Sequence, residues 1–367
     1  MVDFTSALYL GLAHPSRALR PWVSLTTGRP AALASARSEG PVARKLADLQ
    51  GCDRAVLGTS TLHLFWDLFG LLAERGVSIY LDSGAYPIAR WGAERGVCRG
   101  ADLYPFPHHD GEALRRLVRR HERRGFRPVV VADGFCPGCG RPAPVEEYLE
   151  AVRPLGGRLV LDDTQALGIL GATPSSTAPY GYGGGGTLRR LGIPAPEVLL
   201  ISSLAKGFGA PVAALAGDAT TVRSFKANSA TRVHCSPPSA AAIHAGERAL
   251  ALNERCGDFL RRRLARLVRR FRAGLGSIGL TSRGGWFPVQ TLNIEGDARR
   301  LHASLLRQGI GTVLRQPEPG WNGRISFLIT ARHSPHDIDA AVEALARFRG
   351  SCTERRTRRE TTYEACI

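Results

Sequence analysis

The sequence predicts an α/β protein with a mostly parallel central sheet, helices on both faces of that sheet and a smaller C-terminal α/β domain. Apolar, strand-like runs alternate with helical stretches from about residue 40 to about residue 215, which is typical of parallel sheets covered on both faces. A long helical region follows the Pro-Pro pair at 237–238, with further alternating segments after it. At 367 residues, the chain has room for a large and a small domain.

The candidate elements follow from apolar runs and helical periodicity. The predicted strands of the large domain are residues 54–57, 78–81, 128–132, 158–161, 198–202 and 212–216. Helices are predicted at 42–49, 62–71 and 145–152, and within the long region 240–275. In the small domain, strand-like segments at 288–294 and 324–329 precede a helix at 335–348.

These elements divide the chain into four predicted parts. They are an N-terminal segment (1–39), a large domain (40–238), a small domain (239–350) and a basic tail (351–367) that we expect to be disordered. No apolar run is long enough to span a membrane, and no leader pattern follows Met1, so we expect a cytoplasmic protein. The net charge is +17, but the arginines are scattered without interleaved aromatic residues, and we do not expect nucleic-acid binding.

The cysteines do not predict a metal site. The chain has eight, of which only Cys136 and Cys139 lie close together. A zinc site would need a second pair, or histidines at ligand spacing, and none follows. A redox pair stays open, but we favour a loop that merely contains two thiols.

Lys206 is the most informative residue of the chain. There are only three lysines against forty-six arginines, and lysine alone offers a primary amine that loses its proton and forms a Schiff base. It lies in residues 202–209, SSLAKGFG, between hydroxyls suited to a phosphate and glycines that admit a flat ring. Upstream, a predicted strand ends at Asp162, whose carboxylate can keep a pyridine nitrogen protonated. Together these features indicate pyridoxal 5'-phosphate (PLP).

The same motifs resemble the α-oxoamine synthase family, a member of the fold-type I PLP-dependent transferases. The similarity covers roughly residues 3 to 348. Residues 3–12 resemble the family's entry segment, and residues 161–168 (LDDTQALG) resemble its acid-containing stretch. Residues 203–209 resemble its lysine motif, while 287–290 and 330–333 resemble its C-terminal domain.

The resemblance implies that Lys206 carries the cofactor and that Asp162 pairs with its ring nitrogen; for Asp162, a strand-end cap is the alternative. Arg315 would bind the carboxylate of an amino acid through its guanidinium fork. The hydroxyls implied to bind the phosphate are those of Ser203 and, at the start of a predicted helix, Thr59, Ser60 and Thr61. A plain helix N-cap is the alternative for Thr59 and Ser60.

Two of the departures from the family pattern concern the cofactor ring. Tyr86 stands where the family has a histidine stacked on the cofactor ring, and it can stack but supplies no imidazolium. Gln165 replaces a histidine that contacts the ring oxygen; its amide donates a hydrogen bond but does not exchange protons.

The resemblance implies a PLP-dependent acyltransferase. It would condense an amino acid with an acyl thioester of coenzyme A or a carrier protein, with loss of CO2, to give an α-oxoamine. Because Tyr86 and Gln165 replace family histidines, an aminotransferase or another PLP reaction (decarboxylation or an aldol-type step) stays open. A non-catalytic binding protein is disfavoured because Lys206 and Asp162 are both present. The resemblance also implies a homodimer, in which residues 236–238 reach the partner's phosphate.

Overall fold

The computed structural model describes residues 1–34, 38–73, 76–122, 125, 127–194, 196–293, 297–315 and 323–364, with side chains as far as Arg349. These residues form two compact units. The large unit comprises Leu10–Cys136 and Arg141–Arg261, and the small unit comprises Met1–Tyr9, Pro137–Gly140 and Arg262–Ile367. The sequence predicts the boundary between the two domains after residue 238, whereas the two units divide after Arg261. The predicted four-part division stays a prediction.

The strands of the described residues are, in chain order, β1 (Val2–Asp3), β2 (Arg54–Gly58), β3 (Val77–Asp82), β4 (Asp102–Phe106), β5 (Arg127–Asp133), β6 (Phe135–Cys136), β7 (Arg141–Pro142), β8 (Arg158–Asp162), β9 (Val198–Ser203), β10 (Ala213–Gly217), β11 (Thr281–Arg283), β12 (Val289–Asn293), β13 (Ile310–Gly311), β14 (Val313–Arg315) and β15 (Arg324–Leu328). The helices are α1 (Glu39–Gln50), α2 (Thr61–Leu72), α3 (Pro87–Cys98), α4 (Gly111–His121), α5 (Val145–Val152), α6 (Thr187–Leu191), α7 (Ala219–Asn228), α8 (Ala230–His234), α9 (Ala240–Leu252), α10 (Asp258–Ser277), α11 (Ala298–Arg307) and α12 (Pro335–Glu364).

The large unit is built on a seven-stranded sheet with the order β2-β10-β9-β8-β5-β3-β4. Strands β4, β3, β5, β8 and β9 pair in parallel, whereas β10 is antiparallel to both β9 and β2. The predicted mostly parallel α/β fold is therefore confirmed. Strand β4 was not predicted, because Pro105 interrupts its apolar run; proline is tolerated there since β4 lies at the sheet edge.

The central strands are buried on both faces because their side chains are almost all aliphatic. Alternate residues supply two cores. Val129 and Val131 of β5 pack in one core with α2 and α3, whereas Val130 and Ala132 pack in the other with α5. This alternation fixes the register, and it sets the last residue of β5, Asp133, directly opposite the last residue of β8, Asp162. The carboxyl edge of the sheet thus collects acidic strand ends.

Helix α2 is held to the segment after α7 by a buried carboxylate. Asp67 accepts hydrogen bonds from the hydroxyls of Ser229 and Thr231 and pairs with Arg95, whose NH1 lies 3.3 Å from Asp67 Oδ1. Burial of an ion without its partners is costly, so these contacts must be complete in the folded state.

We expect Asp67→Ala to lower the free energy of unfolding by about 3 kcal/mol, because it removes the buried carboxylate that pairs with Arg95 and accepts from the hydroxyls of Ser229 and Thr231. Urea unfolding followed by circular dichroism measures the change. The control is Glu112→Ala on α4. The exposed carboxylate of Glu112 pairs with Arg115 and Arg116, and its removal should lower the free energy of unfolding by no more than about 0.5 kcal/mol. Equal losses in the two variants would contradict this account of α2.

The small unit contains a four-stranded sheet, ordered β11-β12-β15-β14, and a short parallel pair of β1 with β13. Phe4 stacks on His333, with ring centroids 4.3 Å apart, and meets Phe327 edge-on. Helix α12 continues to Glu364, where the sequence predicts a disordered tail. The difference has a physical reason, since residues 351–364 are rich in arginine and glutamate, which are good helix formers.

The long helical region predicted at 240–275 is not one helix. Helix α9 ends at Leu252, a π-helical turn covers Asn253–Gly257, and α10 begins at Asp258. Buried Arg261 secures the turn by donating to Asn253 Oδ1 at 2.8 Å and to Asp258 Oδ1 at 2.7 Å. Among the helices of the described residues, none is long and apolar enough to cross a membrane.

Candidate active site

The carboxyl edge of the large sheet brings together the amine and the acid that the sequence singles out. Asp162 is the last residue of β8, and Lys206 lies in the turn that joins β9 to β10. Both side chains are largely buried, and each affects the pKa of the other. Asp133, which was not predicted as a site residue, faces both of them from the end of β5.

Burial controls the charges of this cluster. It lowers the pKa of Lys206 below its usual value, while the carboxylates of Asp162 and Asp133 oppose that shift. Burial likewise raises the pKa of Asp162, against hydrogen bonds from Thr164, whose backbone N donates to Asp162 Oδ1 at 3.0 Å. The pKa of Asp133 is raised to about 8, first by burial and then by the charge of Asp162. At neutral pH, Asp133 therefore keeps its proton, while the charge of Lys206 opposes the rise in the pKa of Asp162.

This protonation pattern predicts a pH effect on stability. The pKa of Asp133 is about 8 in the folded protein, against 3.8 for a free side chain. Between these values, unfolding releases the proton. The unfolding free energy therefore falls as pH rises, by up to about 1.4 kcal/mol per pH unit for this one group. Asp133→Asn removes that contribution, yet its amide oxygen can still accept the hydrogen bond of Tyr86 N.

The measurement is urea unfolding of cofactor-free wild type and Asp133→Asn at several pH values between about 5 and 7. We expect a shallower loss of stability with rising pH in the variant. Asp163, whose pKa is raised to about 7 mainly by burial, contributes equally to both proteins and drops out of the comparison. Parallel pH profiles would show that Asp133 is ionised in the folded state.

Tyr86 lies beside Lys206, and its stacking on a cofactor ring stays a prediction. Lys206 Nζ is 5.9 Å from the centroid of the Tyr86 ring, which is about half exposed. Tyr86 precedes α3, and its backbone N donates to Asp133 Oδ1 at 2.9 Å. Asp133 thus links the position of the aromatic ring to the buried charges.

Ser203 and Gln165 flank the acid and the amine. Ser203 ends β9, and its backbone N donates to Thr164 Oγ1 at 2.9 Å, which ties the lysine turn to the turn after Asp162. Gln165 is the next residue of that second turn and is partly buried. Ser203 is three residues before Lys206 in the chain, and Gln165 is three residues after Asp162, so both lie at the same carboxyl edge of the sheet.

The structure explains the glycine that follows Lys206, Gly207, differently from the sequence analysis. A Cβ on Gly207 would lie 2.5 Å from the carbonyl oxygen of Leu167, and Gly168 opposite it has φ +85°. Close packing of two turns therefore requires Gly207, whatever lies above them. The sequence-based explanation, room for a flat ring, is not needed at this position.

The predicted phosphate-binding residues Thr59, Ser60 and Thr61, which we call the phosphate loop, lie at the start of α2. Ser60 is the N-cap residue, whose side chain accepts from the backbone N of His63, while Thr59 is exposed and Thr61 begins the helix. The N-cap interpretation of Ser60 is therefore correct; the cap uses the amide of His63, and the earlier amides of the first turn, those of Thr61 and Leu62, remain for an anion. Thr59 also lines a cavity with Ser236, Pro237 and Pro238 of the same chain.

Arg315 ends β14 in the small unit and is exposed. It belongs to a different compact unit from Lys206, so its carboxylate-binding role stays a prediction; Gln316 and Pro317 lie outside the described residues. Neither Cys136 nor Cys139 is part of a disulfide among the described residues.

The residues that sequence reasoning missed are Asp133, His63 and Arg232, the last two of which line the cavity beside Thr59. Asp133 carried a usable signal, since it ends an apolar run in the same way as Asp162. The site fits PLP on its own chemistry: a buried amine of lowered pKa faces a buried carboxylate, and hydroxyls at a helix start lie on the same unit.

Comparison with known proteins agrees with this chemistry. The sequence model of the family described as aminotransferase class I and II matches residues 42–345. The 8-amino-7-oxononanoate synthase of Methylococcus capsulatus is 30% identical over 357 residues, which are 94% of this chain and 88% of that protein. The synthase of Alkalilimnicola ehrlichii is 28% identical over 362 residues, covering 95% and 88%.

Solved structures share the fold. A serine palmitoyltransferase variant from S. paucimobilis, with a bound PLP–myriocin aldimine, superposes with a TM-score of 0.80 at 17% identity, covering 93% of this chain and 85% of that one. At this level of identity the likeness concerns the fold, and it agrees with the mostly parallel sheet described above.

Proposed function

Because the chain belongs to the aminotransferase class I and II family, we propose that it is a PLP-dependent acyltransferase that joins an amino acid to an acyl thioester with loss of CO2. The product is an α-oxoamine. The observation that carries the proposal is the buried pair of Lys206 and Asp162 at the carboxyl edge of the sheet. The name of the relatives describes a product with amino and keto groups on neighbouring carbons, and joining an amino acid to an acyl group with loss of CO2 gives this arrangement.

PLP, when bound, withdraws electrons from the Cα of an amino acid attached to it. The role of Lys206 is to hold the cofactor and then to move the Cα proton. A lysine of ordinary pKa is protonated at neutral pH and is a poor base; burial lowers the pKa of Lys206 and favours the neutral amine. Asp162 would pair with the ring nitrogen of the cofactor and help to retain a proton there.

The remaining residues position the reactants. The face of Tyr86 would pack on the cofactor ring, and the Gln165 amide would donate to the ring oxygen. Ser203 and the residues Thr59, Ser60 and Thr61 would bind the phosphate through hydroxyls and backbone amides. Arg315, by its place in the family pattern, would bind the carboxylate of the amino acid through a bidentate contact.

The test is mass spectrometry of products from PLP-loaded protein offered pooled amino acids, with and without acyl thioesters of coenzyme A or a carrier protein. We expect a product whose mass equals that of the amino acid plus the thioester minus CO2 and the released thiol, formed only when a thioester is present. Keto acids and the pyridoxamine form of the cofactor, formed without thioester, would instead assign transamination. That alternative is kept because Tyr86 lacks an imidazole.

We also propose that the protein is a homodimer. The support comes from the large unit, where Trp22, Val23, Leu25 and Leu33 are exposed along one segment and Trp66 is exposed on α2. Such a set of apolar side chains is unusual on the surface of a monomer. Light scattering with size-exclusion chromatography should give about twice the chain mass of 39.5 kDa; a monomer that is active at the same concentration contradicts the proposal.

A further inference from the structure

The cavity beside the start of α2 contains two basic side chains that the proposed function does not use. It is lined by Thr59 of the phosphate loop, by His63 one turn into α2 and by Arg232 of α8. Aspartate and glutamate are absent from its described lining. The carboxylate of Asp67, one turn further along α2, accepts hydrogen bonds from the hydroxyls of Ser229 and Thr231. The lining therefore favours an anion.

His63 controls the hydroxyls of the phosphate loop. Its Nδ1 lies 2.8 Å from Ser60 Oγ and 3.2 Å from Thr59 Oγ1. When Nδ1 carries a proton, the imidazole donates to these oxygens, and the hydroxyl protons are free to point to an anion in the cavity.

Arg232 brings a second, independent indication of an anion. Its NH2 donates to the carbonyl oxygen of Ala31 at 2.8 Å, which anchors the guanidinium at the cavity. Its Nε is buried and has no hydrogen-bond partner among the described residues. A buried N–H of a charged group is costly without an acceptor, and an anionic oxygen is the strongest acceptor for a guanidinium.

We propose that His63 and Arg232 bind the phosphate of the cofactor, in addition to the loop hydroxyls. The inference rests on the proposed function and deepens it. Two basic side chains of the large unit would hold the phosphate dianion, so the site selects the phosphorylated aldehyde over pyridoxal. In this proposal, neither residue contacts the reacting end of the cofactor, and both increase the affinity of the protein for it.

The test compares the dissociation constants of PLP and pyridoxal for the full chain stripped of cofactor, measured by visible absorbance. The variants are His63→Gln and Arg232→Gln; the control is His121→Gln on α4, whose ring stacks on Tyr104 away from the cavity. For PLP, we expect a loss of affinity on the order of tenfold with Arg232→Gln, and about threefold or more with His63→Gln, as for the loss of a charge-assisted hydrogen bond. The affinity for pyridoxal should change by less than about twofold, because it has no phosphate.

Inorganic phosphate gives a further readout. It should compete with PLP for the wild type and compete more weakly for both variants, while His121→Gln behaves as the wild type. Equal weakening of PLP and pyridoxal would show that His63 and Arg232 only maintain the fold, and would overturn the inference. A wild type that binds PLP and pyridoxal equally overturns it as well. A wild type that binds neither aldehyde refutes the proposed function itself.

Discussion

Replacing Lys206 with arginine is expected to abolish turnover, with a loss of at least about a thousandfold. Arginine keeps a positive charge but does not lose its proton, so it can neither join the cofactor aldehyde nor act as a base. The measurement is product formation from amino acid and thioester, together with the visible absorbance of bound cofactor. Both signals should be lost.

The rarity of lysine provides matched controls. Lys45 forms an exposed ion pair with Glu254, 3.0 Å between Nζ and Oε1, and Lys226 lies near the end of α7. Lys45→Arg and Lys226→Arg should keep wild-type turnover, because arginine replaces a surface charge adequately. Substantial turnover in Lys206→Arg, or a similar loss in either control, would show that the chemistry does not depend on the amine at 206.

Replacing Asp162 with asparagine is expected to lower turnover by about a hundredfold to a thousandfold while PLP stays bound. The asparagine oxygen can still accept from Thr164 N, so the turn keeps its shape. The side chain no longer carries the negative charge that retains a proton on the ring nitrogen. Turnover and PLP binding, measured on the same preparation, separate these two effects.

Asp133→Asn is the matched control for that prediction. It removes the other carboxyl group of the buried pair, which holds its proton at neutral pH because its pKa is raised to about 8. Its loss should cost less than about tenfold in turnover, since a neutral group is replaced by a neutral group of the same shape. If Asp133→Asn is the more damaging change, the roles of the two carboxyl groups are reversed.

The sheet was predictable because its strands are runs of valine, leucine and isoleucine buried on both faces. Strand β4 was missed because Pro105 breaks the pattern, and the edge position that tolerates it is not visible in sequence. The π-helical turn at Asn253–Gly257 was missed because no proline marks it and helical periodicity continues through it.

The site was predictable only in part, for related reasons. Lys206 and Asp162 stand out by residue type and by strand position. The pairing of Asp133 with Asp162 depends on the register of β5 against β8, which the sequence does not state. His63 and Arg232 are far apart in the chain, and one arginine among forty-six gives no signal until the fold places it beside the phosphate loop.

Borohydride reduction of the PLP-loaded protein, followed by proteolysis and mass spectrometry of the peptides, tests the central claim most directly. Reduction makes a bond between the cofactor and its lysine permanent, so the cofactor mass marks the residue that held it. We predict that mass on the peptide containing Lys206 and on no other. Its appearance on Lys45 or Lys226, or an unmodified Lys206 in protein that has bound PLP, would contradict the account.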